Sequence, residues 1–179
     1  MDRKPIVDLN VEKVIEIHDY IIEFDKALNP DDYLPGIHEI GSLETLFEWR
    51  IHSNNSVFQN AAFALDSITC RHAFRNGNKR TGFAVAYILL EAEGYKIIAT
   101  EDERLQFLLK IARYEVDVGF IETWLRQNSR KMGRIEFLLN WVLKRKEIGI
   151  VYLFVKVLLK CIPNDYYKNI NEEKEEKNE

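Results

Sequence analysis

Cysteine is scarce. Cys70 and Cys161 stand far apart between apolar neighbours, with no C-x-x-C pairing among 179 residues, which fits two buried thiols in a reducing compartment. A basic excess is lacking too: 25 Lys and Arg face 29 Asp and Glu, a net charge of −4, and a nucleic-acid partner is not expected. No apolar run is long enough to span a bilayer. The longest, residues 148–162, is interrupted by Lys156 and Lys160 and falls short of the roughly 20 residues required. The first residues, Met1-Asp2-Arg3-Lys4-Pro5, lead into mixed charged and apolar sequence without a signal-peptide core. A cytoplasmic protein with no membrane span is the expectation. Glycine-rich linkers, repeats and a βαβ rhythm are also missing.

What is present is apolar and helical. Hydrophobic residues make up 46% and aromatics 12%, enough for a packed core. The length suggests one domain with a surplus. Charge is unevenly spread, because residues 172–179 hold five Glu and two Lys, a local net of −3 that leaves −1 for the other 171 residues. Val11, Val14, Ile15, His18, Ile21 and Ile22 recur at helical spacing, with Asp8 or Asn10 as the N-cap. Pro30 and Pro35-Gly36 break the chain into a loop. A second helix is expected from a Ser42 cap, with Leu43, Leu46, Phe47 and Trp49 on its apolar face. A third runs over 57–71. The fourth, near residues 78–93, is apolar almost all round, as central buried helices are, and Gly94 suits its C′ position. Two amphipathic helices follow, at 102–114 and 120–127. Residues 135–162 also read as helical, with strand as the alternative for 148–157. His18 is expected to pack in the core or make a cap contact. His38 and His52 lack metal-like spacing, and Trp49, Trp124 and Trp141 are expected to be core residues.

One polar turn stands out between two apolar helices: His72-Ala73-Phe74-Arg75-Asn76-Gly77-Asn78-Lys79-Arg80-Thr81. Gly77 permits a tight or positive-φ backbone. A helix starting near Asn78 turns its first N–H groups and the positive end of its dipole into this turn, an arrangement that binds phosphate. Lys79 and Arg80 add two cations there, and a guanidinium grips phosphate oxygens in pairs. His72 brings an imidazole, whose ordinary pKa of about 6.5 suits a general base. Phe74 is expected to plug the core and hold the turn. The residues taken one at a time are also compatible with an ordinary helix cap carrying surface charges; their convergence on one buried-helix N-terminus argues for a phosphate site.

The stretch resembles the signature of the Fic/Doc family, His-x-Phe-x-(Asp/Glu)-(Gly/Ala)-Asn-(Gly/Lys)-Arg, over His72 to Arg80, with Asn76 in place of the acid. His18-Asp19, Leu34-Pro35-Gly36-Ile37, Gly41-Ser42-Leu43-Glu44, Leu89-Leu90-Glu91, Gly94-Tyr95 and Phe120 to Leu125 are similar to further parts of Doc chains, so the resemblance covers about residues 6 to 130. It implies an all-α, Fic/Doc-like helical bundle over 1–130; outside the resemblance, periodicity adds a C-terminal helical extension (131–163) and composition an acidic, disordered tail (164–179). Lys79 resembles the Doc (death-on-curing) branch, whose members are similar to kinases; AMP-transferring Fic proteins carry Gly there and a second Arg where this chain has Phe83. Ala73 replaces a frequent Pro.

By that resemblance His72 is the catalytic base, Gly77, Asn78, Lys79 and Arg80 bind the nucleotide phosphates, and Asn76 sits where the family holds Mg²⁺. The cofactors implied are ATP and Mg²⁺. The activity implied is a toxin-like phosphotransfer to a Ser, Thr or Tyr hydroxyl of a target protein, controlled in trans by an antitoxin. The chain has no copy of the inhibitory Ser/Thr-x-x-x-Glu-(Gly/Asn) motif: Ser129 is followed by Gly133 and Thr100 by Arg104. AMP transfer is the alternative activity, and a catalytically weakened regulatory or protein-binding module is a second one. The extension is the candidate contact for a partner or a second copy.

Overall fold

A computed structural model of the protein describes residues 9–28 and 34–137. Helix α1 (Val11–Leu28) opens at Asn10, whose side-chain oxygen accepts the Lys13 N–H at 2.9 Å. Helix α2 (Ile40–Thr45) runs directly into a π-helical turn, Leu46–Arg50. Helix α3 (Val57–Cys70) is capped by Ser56, which accepts the Gln59 N–H at 3.0 Å. Helix α4 (Asn78–Ala92) follows the polar turn and ends one residue short of Glu93-Gly94, where Gly94 takes φ +80°. Then come strand β1 (Tyr95–Ile97), helices α5 (Glu101–Ala112) and α6 (Val118–Gln127), and strand β2 (Ser129–Lys131). Thr100 and Glu103 form a capping box on α5, and Asp117 caps α6. The described residues are mostly helical with one small antiparallel sheet, in keeping with the all-α expectation.

Helices α3 and α4 form the central hairpin. On one side, Val14, Ile17 and Ile21 of α1 and Leu43 and Leu46 pack against Ala64, Ile68, Ala84 and Val85. On the other, α5 and α6 supply Phe107, Ile111, Ile121 and Leu125 against Leu65, Phe83 and Leu90. Each such side chain, removed fully from water, contributes about 1.5–3 kcal/mol. The hairpin closes tightly at Gly82: a Cβ there would lie 2.8 Å from Thr69 Oγ1 and 3.2 Å from the Leu65 carbonyl. Thr81 through Ala86 are buried without interruption, as befits a central helix. Among the described residues no helix is long and apolar enough to cross a membrane.

Two local expectations are corrected, and a third feature is new. Ser42 does not cap the second helix; Glu39 does, accepting the Gly41 N–H at 3.1 Å, while the Ser42 hydroxyl donates to the Glu39 carbonyl at 2.8 Å. Trp49 is not in the core but 72% exposed. The π-helical turn widens the spiral beyond 3.6 residues, which rotates Trp49 off the buried stripe. Arg50, at its end, reaches Asp66 (2.9 Å) and Ser67 (2.8 Å) on α3. Third, the β1–β2 pair, with Tyr95 opposite Lys131 and Ile97 opposite Ser129, had no sequence signal. The start of the expected extension is tied to this sheet: Met132 N–H donates to Gly94 O at 2.7 Å, and Arg130 grips Glu136 through two 2.8 Å bonds. The expectations for residues 138–179, including the rest of the extension, the strand alternative, Trp141, Cys161 and the acidic tail, lie outside the described residues.

Candidate nucleotide and phosphate site

The polar turn is held by three neighbours. Helix α3 ends at Cys70, Arg71 caps it, and His72 follows with φ +50°, the left-handed conformation of a helix C′ residue, with its side chain exposed. The chain then drives Phe74 inward. Phe74 is 1% exposed and stacks on the His18 ring of α1 at 3.7 Å between centroids and 8° between planes. On the loop's other side, His38 and Glu39 N–H donate to Ala73 O (2.9 and 3.1 Å), and Arg75 N–H donates to Gly36 O (3.1 Å). The segment containing Pro35-Gly36 thus runs antiparallel beside the turn, with Ile37 opposite Phe74.

Asn78 staples the loop. Its Oδ1 accepts the Phe74 N–H at 2.9 Å and its Nδ2 donates to the Phe74 carbonyl at 2.6 Å. This satisfies both backbone groups of a buried residue, whose desolvation otherwise costs about 1–3 kcal/mol each. The family resemblance gives Asn78 to phosphate; the geometry gives its amide a prior task in shaping the turn. Gly77 enters α4 at φ +73°, and a Cβ there would meet Ile22 Cδ1 at 3.0 Å and His18 Cε1 at 3.4 Å. Only glycine combines that backbone with that proximity to α1.

Helix α4 starts immediately after. Its first intrahelical bond is Thr81 N–H to Gly77 O at 2.9 Å, so the amides of residues 78–80 lie ahead of the ladder, at the positive end of the dipole. Lys79 and Arg80 are half-buried on that first turn. Thr81, fully buried, meets His18 Nδ1 through its hydroxyl at 3.3 Å. Burial, and then the Arg80 charge, lower His18 to about 4, so this imidazole is neutral at ordinary pH. His18 therefore acts as a fixed aromatic floor beneath the turn. Sequence reading placed His18 in the core without linking it to the site; its helical register beside Ile22 was the available signal. The role of residues 36–39 was also missed, although the exposed apolar pair Leu34 and Ile37 around Pro35-Gly36 marks the segment.

A resident Mg²⁺ does not fit the residues present. Residues 71–80 contain no carboxylate, and the Asn76 side-chain oxygen accepts the Gly77 N–H at 2.7 Å. Among the described residues no group of three or more His, Cys, Asp or Glu side chains is placed to hold a metal. Mg²⁺ prefers several charged oxygens, and residues 71–80 carry only the neutral amides of Asn76 and Asn78.

An exposed histidine and two helix-start cations flank a glycine turn in the order and spacing of a known signature. Residues 8–90 match the Fic/DOC family. The match spans α1, the Gly36 segment, α2, α3, the turn and most of α4; α5, α6 and the strand pair lie beyond it. No curated protein matches the chain. Members of the Fic/DOC family are typically transferases that act on proteins with ATP as a substrate. Against that family's signature, His72, Phe74, Gly77, Asn78 and Arg80 stand in register, and the structure gives each a distinct place: His72 outward, Phe74 inward, Gly77 against α1, Asn78 across the loop, Arg80 at the helix start.

Proposed function

We propose that the protein is an ATP-dependent phosphotransferase of the Doc kind, modifying a Ser, Thr or Tyr hydroxyl of a target protein. The observation that carries this reading is the exposed His72 imidazole facing solvent from the same rigid turn that presents the α4 N-terminus with Lys79 and Arg80. A neutral imidazole takes the proton from the target hydroxyl. The oxygen attacks the γ-phosphorus, the bond from that phosphorus to the bridging oxygen breaks, and ADP leaves as the phosphomonoester forms. Lys79, Arg80 and the helix-start amides oppose the charge spread over the phosphate oxygens. Because no carboxylate of the turn is available for Mg²⁺, the ion would arrive with the nucleotide.

Two features favour phosphoryl over AMP transfer. Lys79 places a charged side chain where AMP-transferring relatives leave an open glycine backbone. Phe83, where those proteins carry a second arginine, is 7% exposed in the core and offers no cation. Control by an antitoxin in trans accords with the missing inhibitory motif, and a cytoplasmic setting accords with the use of ATP.

The test uses purified protein in a cell lysate with ATP labelled on the γ-phosphate or on the adenine. Label from the γ-phosphate alone is expected. Label from adenine establishes AMP transfer, where attack at the α-phosphorus releases pyrophosphate. Labelling in neither arm overturns both and leaves the protein-binding module. In the active protein, Asn76→Asp is expected to lower the Mg²⁺ concentration for half-maximal transfer several-fold, since a carboxylate replaces a neutral ligand. An unchanged Mg²⁺ titration would show that this position does not meet the ion.

A further inference from the structure

Two non-glycine residues among those described take positive φ: His72 at +50° and Tyr114 at +58°. Both stand one residue past a helix cap, His72 after Arg71 on α3 and Tyr114 after Arg113 on α5. Glycine occupies that C′ position without strain, whereas another residue costs about 1–2 kcal/mol in the left-handed region. A left-handed histidine therefore needs surroundings that hold it there.

The two helix ends are joined to each other. The Tyr114 hydroxyl donates to the Cys70 carbonyl at 2.7 Å. The Cys70 thiol donates to the Ile111 carbonyl at 3.3 Å, and the same carbonyl accepts the Tyr114 N–H at 3.0 Å. Burial, and then the Asp66 charge, push the Cys70 thiol up to about 11, so the S–H proton stays in place to donate. The Cys70 carbonyl belongs to the last turn of α3, whose carbonyls have run out of helix amides. It lies two residues before His72.

We infer that Tyr114 is a positioning residue for His72: its hydroxyl pins the last turn of α3 to the end of α5 and so fixes where the imidazole stands. This rests on the reading of His72 as the base. Stability does not explain the tyrosine. The residue is 68% exposed, so it buries little surface, and its backbone is strained where a glycine would be relaxed. What the side chain adds is one directed hydrogen bond onto the backbone that carries the histidine. A small displacement of a base from its productive geometry lowers the rate steeply.

The test compares the full chain with Tyr114→Phe, which removes only the hydroxyl, and Tyr114→Gly, which also removes the backbone strain. The carbon-bound imidazole protons of the four histidines are followed by NMR in histidine-labelled protein. In both variants the His72 signal is expected to shift or broaden while those of His18, His38 and His52 stay. Thermal unfolding is expected to be unchanged in Tyr114→Phe and unchanged or later in Tyr114→Gly. The labelled-ATP assay is expected to lose about tenfold in kcat at constant KM for ATP. An unmoved His72 signal overturns the inference, as does a uniform shift of all four histidines with a lower melting temperature. If the wild-type protein transfers no label, the proposed activity fails, and the His72 signal still decides whether Tyr114 positions it.

Discussion

Replacing His72 with alanine is expected to lower the transfer rate about 10²–10⁴-fold, the usual contribution of a positioned general base. The fold should survive. The His72 side chain is exposed, so alanine there empties no core site. His72→Asn is the cleaner companion, because asparagine tolerates φ near +50° and its amide takes up no proton at neutral pH. Both variants are expected to bind ATP as the wild type does, since the groups proposed to hold the phosphates, Lys79, Arg80 and the helix-start amides, belong to α4. The measurements are initial rates with labelled ATP and nucleotide affinity by calorimetry. If the alanine variant retains more than a tenth of the rate, His72 is not the base. If affinity falls in step with rate, His72 belongs to nucleotide binding.

Phe74→Ala is expected to destabilise the protein by about 3–5 kcal/mol, the range for emptying a fully buried phenylalanine site. For a domain of ordinary stability, about 5–15 kcal/mol, that approaches unfolding at body temperature. Phe74 is the wedge between the turn and α1, so its loss also uncovers the His18 ring stacked on it. Phe74→Leu, which fills much of the volume, is expected to lose well under half as much. Urea unfolding measures both, and a loss below about 1 kcal/mol for alanine would mean the turn holds its shape without the wedge.

The same unfolding curves against pH report on His18. Its folded pKa, about 4, lies below the ordinary histidine value of 6.5. At pH above 6.5 neither state binds the proton, and the contribution to stability is complete. As pH falls from 6.5 toward 4, the unfolded chain protonates while the native imidazole does not, and stability declines. In Phe74→Ala, water reaches His18 and its folded pKa rises, so this decline is expected to flatten. An identical slope in both proteins would place the acid sensitivity elsewhere.

Much of this architecture was legible in single segments. The helical stripe of Val14, His18 and Ile21, the buried run from Phe83 to Ala86 and the glycine stop at Gly94 follow from local periodicity and backbone freedom. The turn itself was legible because its chemistry is written in consecutive residues. Where the period changed, reading failed: Trp49 looked buried on a 3.6-residue spiral and emerged exposed on a wider one. Ser42 looked like a cap because serine accepts amides well, yet Glu39 had the better position three residues earlier.

By itself the sequence determined the helical class, the position of the turn between α3 and α4 and the match to the Fic/DOC family over residues 8–90. Those properties depend on neighbours along the chain. Tertiary structure decided what the turn rests on. His18 stacks on a phenylalanine far along the chain, the Gly36 segment bonds to Ala73 and Arg75, and Tyr114 ties the Cys70 carbonyl across 44 residues. No periodicity encodes such pairs. They form because core packing brings helix ends together, and there the backbone groups left over by each helix must find partners.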